Sequence, residues 1–484
     1  MASRESGDRS FRLICNVPRE NVAAKAIFIG GTASHAGKSW FATAVCRYLR
    51  SLGMRVAPFK AQNMSNNSYP CAGGGEIGRA QVAQAEACGL APEPAFNPIL
   101  LKPTSDRASQ VVVNGRVWRH LDARAYYEHF DELFAHVLET YSGLAARFDA
   151  IVIEGAGSVA ELNLKARDLV NLNLAARVGA RGVLVSDIDR GGIFASLIGT
   201  MAILPEEERA LIRAFAVNRF RGDRSLFDDG VRILEERTGR PCLGVFPYAM
   251  DIHLDEEDGF ERPAGAGSAV AVVALPRISN VTDFRLLPEA AWITHPVERQ
   301  FRAIFLPGTK STLADLAWLR AQGLDEWLHR QHRGGARIIG VCGGYQMMGR
   351  RIDDAGGSDG APGCAEGLGL LPVTTVMEPE KTTRAVTAAY QGMMAPAYEI
   401  HVGRTEALSD TEPFAYVEGQ PEGARVNGCV GTYLHGILED HRVLSSLVGF
   451  PVAAPRSKEE GYAALGSWFS GNADLDLFER EYLR

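Results

Sequence analysis

The sequence predicts an α/β protein built from two doubly wound domains. Three observations carry that prediction. Short apolar runs alternate with amphipathic helical stretches from Ala26 onward; the segment EEDGFERPAGAGSA is acidic and then rich in Gly, Pro and Ala, with no apolar period; and the alternation resumes behind it. A chain of 484 residues is also too long for one ordinary core.

In the first region the strand-like runs are AIFIGGT, RVAPFK, DAIVIEGAG, GVLVSDID, AFAVNRF and CLGVFPY, and ATAVCRYLRSLG reads as the first helix. Strands separated by helices imply parallel βαβ units with helices on both faces of a sheet. In the second region VAVVALP, RAIFLPGT, RIIGVCGG, YEIHVG and NGCVGTYLHG follow the same plan, and EEGYAALGSWF reads as a closing helix. The expected division is an extension at 1–24, a first domain at 25–255, a linker at 256–268, a second domain at 269–452 and a helical segment at 453–484.

Composition excludes several classes. Hydrophobic residues at 46% and charged residues at 23% are those of a soluble globular protein. A formal net charge of −7 argues against a nucleic-acid or anionic membrane surface. No run of eighteen apolar residues predicts a membrane span. The eight cysteines form no CxxC pair and no regular framework, so neither a zinc site nor a disulfide scaffold is expected; a reducing cytoplasm fits.

The first strand runs into GGTASHAGKS and then a helix. Backbone N–H groups at Gly31, Thr32 and Gly37 can point into a phosphate, Lys38 supplies a charge, and the Ser39 hydroxyl can reach Mg²⁺. Thr32 holds the usual glycine position and the glycine is Gly31, so the loop is one residue longer than GxxxxGK[ST]. That variant resembles the loop of dethiobiotin synthetase and its relatives, which use ATP to activate a carboxylate. Glu154, after four apolar residues in AIVIEGAGS, is the acidic metal-ligand candidate. Asp187 and Asp189 also end a strand, where binding acids and solvated loop acids are equally expected.

The stretch RIIGVCGGYQMMG ends a strand in Cys342 and two glycines, which let the chain turn sharply behind a nucleophile. His435 ends the apolar run GTYLHG, whereas His329, His332 and His441 lie in polar helical stretches. A strand-end Cys and a strand-end His suit a pair in which imidazole takes the thiol proton. The backbone N–H groups of Gly343 and of Gly308, in FLPGTKS, are candidate oxyanion donors.

The stretches GTASHAGKS, PFKAQNMSNNSY, GGEIGRAQ, NPILLKP, SQVVVNG, VIEGAGS, DIDRGGIFASL, NRFRGD, LPGTKST, GVCGGYQMMG, YEIHVGRTE and YLHGILE, in this order, resemble the cobyric acid synthase family from about Lys25 onward. The resemblance implies a P-loop NTPase-like first domain and a class I glutamine amidotransferase-like second domain. It also implies ATP and Mg²⁺ as cofactors, glutamine as nitrogen donor, and adenosylcobyrinic acid a,c-diamide amidated on its b, d, e and g side chains. The glutaminase nucleophile falls on Cys342 and its histidine on His435. Lys60, Gln62, Asn63, Glu76 and Arg79 are the candidate substrate contacts. The first twenty-four residues have no counterpart in the family pattern, and SNNSYP replaces a more apolar start of its loop. Class I glutaminases commonly carry Glu two residues after the histidine; here that position is Ile437, leaving Glu439, Glu399 or no acid to orient His435. Two alternatives are a cobyrinic acid a,c-diamide synthase, disfavoured because AQNMSNN rather than GPDYID follows Lys60, and a P-loop switch with an inert glutaminase-like domain.

Overall fold

The computed structural model describes residues 24–104, 107–249, 252 and 267–484. Residues 1–23 of the expected extension and 256–266 of the expected linker lie outside the described residues.

In the first half, six parallel strands form the central sheet: β1 (Lys25–Gly31), β2 (Val56–Phe59), β3 (Ala150–Glu154), β4 (Arg181–Asp187), β5 (Ile212–Phe220) and β6 (Cys242–Pro247). Their order is β6–β5–β4–β1–β3–β2. Every strand is nearly continuous in Val, Ile, Leu, Phe and Ala because both faces are covered, as a parallel sheet requires. Sequence order reverses around β1, so the carboxyl ends of β1 and β3 open on a switch point. Helix α1 (Lys38–Ser51) leaves β1 through the phosphate loop. A four-stranded sheet over residues 62–64, 99–103, 108–113 and 116–122 stands beside the main one, and α2 (Arg79–Cys88) follows a small hairpin.

The second half has its own central sheet: β7 (Val270–Val273), β8 (Ala291–Ile293), β9 (Ala303–Leu306), β10 (Arg337–Val341), β11 (Ala424–Val426) and β12 (Cys429–Thr432). Its order is β8–β7–β9–β10–β12–β11, parallel except for the β11–β12 pair.

One expectation changes here. YEIHVG does not join this parallel sheet; it lies within a strand spanning Met393–Ala407 that pairs antiparallel with Val373–Tyr390. The runs VTTV and TTRAVTAAY are dense in β-branched residues and alternate in burial, which suits a long ribbon with one face packed.

The closing helix, α3 (Lys458–Asn472), starts with a capping box between Ser457 and Glu460 and returns to the first half. Phe469 meets Phe41 of α1 with ring centroids 5.5 Å apart, and Trp468 meets Phe246 of β6 at 4.8 Å. Trp468 Nε1–H donates to the Pro247 carbonyl at 3.0 Å, so the indole is buried without an orphaned donor.

Candidate active site

Two clusters of polar side chains lie at carboxyl ends of the two parallel sheets. The first surrounds the phosphate loop. Gly37 has φ 88° and caps α1, and Asn218 from β5 donates from Nδ2 to the Ala36 carbonyl at 3.0 Å, bracing the loop from beneath. The Lys38 ammonium curls back to the carbonyls of Ala33 and Gly157, both at 2.9 Å. A Cβ on Gly31 would fall 2.9 Å from Lys38 Cδ, so the glycine one place early makes room for that lysine stem. Thr32 sits at the strand end with its hydroxyl 2.9 Å from that of Ser186.

Glu154 is the centre of this cluster. Its Oε1 accepts from Ser39 Oγ at 2.7 Å and from Lys60 Nζ at 2.9 Å. Its Oε2 accepts from Gln84 at 2.5 Å and Gln81 at 3.3 Å. Burial alone raises a carboxyl's pKa, but Lys60, Ser39 and Gln84 reverse this and hold Glu154 below the usual carboxylate range. Lys38, Ser39, Lys60, Asn63 and Glu154 line one cavity of about 290 Å³. Among the described residues no group of three or more His, Cys, Asp or Glu side chains forms a metal site. Mg²⁺ needs few protein ligands when phosphate oxygens and waters complete its shell, and the Ser39 hydroxyl beside Glu154 fits that demand. With both Glu154 oxygens already accepting, the carboxylate fits a role through Ser39 or through water better than direct ligation.

The second cluster is built at β10 and β12. Cys342 directly follows β10 with φ 51° and ψ −109°, a strained conformation for a residue with a Cβ. The helix over Gly343–Met348 then starts at once. A Cβ on Gly344 would lie 2.0 Å from the Leu306 carbonyl oxygen, so only glycine lets this turn rest against β9. Cys342 is buried, and its Sγ–H donates weakly to the Ile400 carbonyl at 3.7 Å.

His435 follows β12 and is fully buried. Its Nδ1–H donates to Asp283 Oδ2 at 2.7 Å, while Asp283 Oδ1 accepts from the Gly436 N–H at 2.7 Å. Nε2 has no hydrogen-bond partner among the described residues and is left for the sulfur side. Burial opposes protonation of the ring, yet Asp283 and then Cys342 outweigh it, and the His435 pKa is pushed up to about 10. Gly308 approaches the same ring: a Cβ there would lie 2.9 Å from His435 Cε1. This arrangement can accept a thiol proton and hold it. Glu439 pairs with Arg79 and Arg285, and Glu399 with Arg384 and His401. The acid on His435 is therefore Asp283, which sequence reading missed. Its signal was weak: Asp283 lies in a short 3₁₀ turn, Val281–Phe284, beyond the carboxyl end of β7, and not at a strand end.

The candidate substrate residues divide between the clusters. Lys60 and Asn63 face the phosphate cavity, whereas Gln62 does not line it and its Oε1 accepts from Tyr126 at 2.5 Å. Glu76 and Arg79 are buried where the two halves meet. Glu76 accepts from Lys102 at 2.8 Å and pairs with Lys381 of the second half. Arg79 Nη2 donates to Glu439 at 2.8 Å and covers the rings of Tyr69 and Tyr398. The loop SNNSYP makes further contacts here: Asn67 Oδ1 accepts from the Val281 N–H at 3.1 Å, and the Tyr69 and Tyr398 rings lie 4.8 Å apart. Tyr398 in turn stacks on His435 at 5.4 Å. Asp187 and Asp189 pair with Arg219 at 3.2 Å and Arg221 at 2.7 Å.

Comparison with known proteins agrees with this division of labour. Residues 27–259 match the CobQ/CobB/MinD/ParA nucleotide-binding domain, and residues 269–443 match the CobB/CobQ-like glutamine amidotransferase domain. A cobyric acid synthase of Cereibacter sphaeroides is 47% identical over 427 residues, covering 85% of this chain and 89% of the relative. One from Parabacteroides distasonis is 44% identical over 481 residues, covering 93% and 97%. With both half-chains matched in order and the likeness running through most of the sequence, the chain belongs to the cobyric acid synthase family.

Proposed function

We propose that the chain carries out ATP- and glutamine-dependent amidation of the b, d, e and g carboxylates of adenosylcobyrinic acid a,c-diamide. The observation that carries this reading is the pairing of a phosphate-loop cavity with a buried Cys–His–Asp arrangement in halves that contact each other directly.

Ammonia is made in the second half. His435 takes the Cys342 proton, Asp283 holds the imidazole in the tautomer that can do so, and the sulfur attacks the side-chain amide of glutamine to form a thioester. The N–H groups of Gly343 and Gly308 are the donors for the developing oxyanion. Protonated His435 then passes its proton to departing ammonia, and water releases glutamate.

In the first half a corrinoid carboxylate, a poor electrophile at neutral pH, attacks the γ-phosphate of ATP and becomes an acyl phosphate. Ammonia displaces phosphate and leaves an amide. Lys38 and the loop N–H groups stabilise the transferring phosphoryl group, and Mg²⁺, held through Ser39 and Glu154, would neutralise phosphate charge there. Lys60 and Asn63, on the cavity wall, are placed to meet the incoming carboxylate. No helix among the described residues is long and apolar enough to cross a membrane. We assign the reaction to the cytoplasm.

The test is glutamine-dependent ADP release with and without the a,c-diamide, with products followed by mass spectrometry. Partly amidated corrinoids, gaining up to four amides, are expected early. Reaction only at the a and c carboxylates of unamidated cobyrinic acid would instead identify a diamide synthase, and ADP release indifferent to both substrates a switch ATPase.

A further inference from the structure

The narrow cavity over Cys342 is walled by both halves. Lys310, Asp359 and Lys381 come from the glutaminase half; Asn66 and Lys102 come from the other. Their charges are incompletely matched. Lys102 and Lys381 share one carboxylate, Glu76, which is 1% exposed. Among the described residues the nearest acid to Lys310 is Asp359, at 3.9 Å, too far for a hydrogen bond. Asn66 Oδ1 is buried and has no hydrogen-bond partner among the described residues. Burial drives the Lys102 pKa down to about 7 despite Glu76, with Lys381 and Lys310 adding to the shift. An ammonium surplus and an unmet acceptor in one buried pocket are costly unless a ligand completes them. An α-amino acid supplies the missing partners, a carboxylate for the lysines and an ammonium for the acceptors.

Resting on the glutaminase reading above, we propose that the amino-acid head of glutamine is gripped by both halves of the chain. Lys102, Lys310 and Lys381 face its α-carboxylate, and Asp359 and Asn66 Oδ1 face its α-ammonium. The glutamine pocket is thus complete only when the synthetase half is seated on it. The same stretch of chain reaches the other cavity, since Lys60 and Asn63 line the phosphate site and Asn66 lines this one. Glutamine affinity is therefore tied to the position of the segment that also faces ATP and the corrinoid.

The experiment compares hydrolysis of three amides by the full chain: glutamine; γ-aminobutyramide, which lacks the α-carboxylate; and glutaramate, which lacks the α-ammonium. Wild type prefers glutamine to both. In Lys102→Met the preference over γ-aminobutyramide falls about tenfold, carried by KM for glutamine with little change in kcat; in Asn66→Ala the preference over glutaramate falls similarly. Each preference is a ratio within one preparation, so a partly unfolded variant does not distort it; Lys381→Met gives a second reading of the carboxylate arm if Lys102→Met cannot be purified. Ratios unchanged from wild type in these variants would overturn the two-sided grip. A wild-type chain that fails to hydrolyse glutamine at all would overturn the glutaminase reading beneath it, a separate and recognisable result.

Discussion

The two polar centres solve opposite problems. Around Glu154 both carboxylate oxygens are matched: Ser39, Lys60, Gln81 and Gln84 converge on them beside a cavity of about 290 Å³. Around Cys342 the site is narrow, the Cys342 backbone is strained, and among the described residues His435 keeps one ring nitrogen without a hydrogen bond. A site that must admit a large polyanion and a large corrinoid can rest with its charges neutralised by one another. The second centre instead holds its histidine buried and oriented beside the Cys342 thiol. The contrast teaches that the first centre gains its function on filling, whereas the second is assembled beforehand.

The sharpest way to break this comparison is to silence each centre separately. Cys342→Ser should lower glutamine-driven amidation about 10³-fold or more while ammonium salt still supports amide formation. Lys38→Ala should stop amidation with either nitrogen source, because phosphate handling precedes ammonia's entry. Amide formation by Lys38→Ala with ammonium at the wild-type rate would remove the phosphate loop from the mechanism.

A smaller effect tests whether the second centre is assembled by Asp283. Asp283→Asn should lower glutaminase kcat on the order of 10²-fold, with little change in ammonium-driven amidation. It also has a pH signature. The folded-state pKa of His435 is raised from 6.5 to about 10, so the stability its proton contributes is fully present below about pH 6.5 and lost as pH rises through about 10. Denaturant melts of wild type and Asp283→Asn should therefore differ most at the lower pH and converge above pH 10. A difference that grew with pH would refute the assignment.

The smallest effect concerns the bridge between the centres. Helix α2 begins with Arg79, bonded to Glu439 and lying over Tyr398, and carries Gln81 and Gln84 onto Glu154. ATP and corrinoid should stimulate glutamine hydrolysis by the wild type, and Arg79→Ala should reduce that stimulation about fivefold, with basal hydrolysis less affected. Equal loss of basal and stimulated rates would make Arg79 a packing residue only.

Much of the architecture was legible because it is written in local pattern. Apolar runs bounded by glycine marked β1, β3, β10 and β12, and both Cys342 and the phosphate loop stand at strand ends where the chain itself must turn. The ribbon over 373–407 was misassigned because YEIHVG, taken alone, reads the same in a parallel sheet or an antiparallel hairpin; only the pairing with Val373–Tyr390 separates them. Glu76 and Arg79 were legible as special residues, but their partners Lys381 and Glu439 lie more than three hundred positions away.

The sequence by itself determined the two α/β halves, the loop ending in Lys38 and Ser39, and the Cys342 and His435 positions, since each depends on a few consecutive residues and the φ, ψ values they permit. Tertiary structure alone decided that Asp283, 152 positions from His435, holds its imidazole, and that Asn66 and Lys102 wall the Cys342 cavity. A buried carboxylate or ammonium takes whichever partner the packed core brings within hydrogen-bonding reach, and that distance is fixed by how sheets and helices stack, not by spacing along the chain.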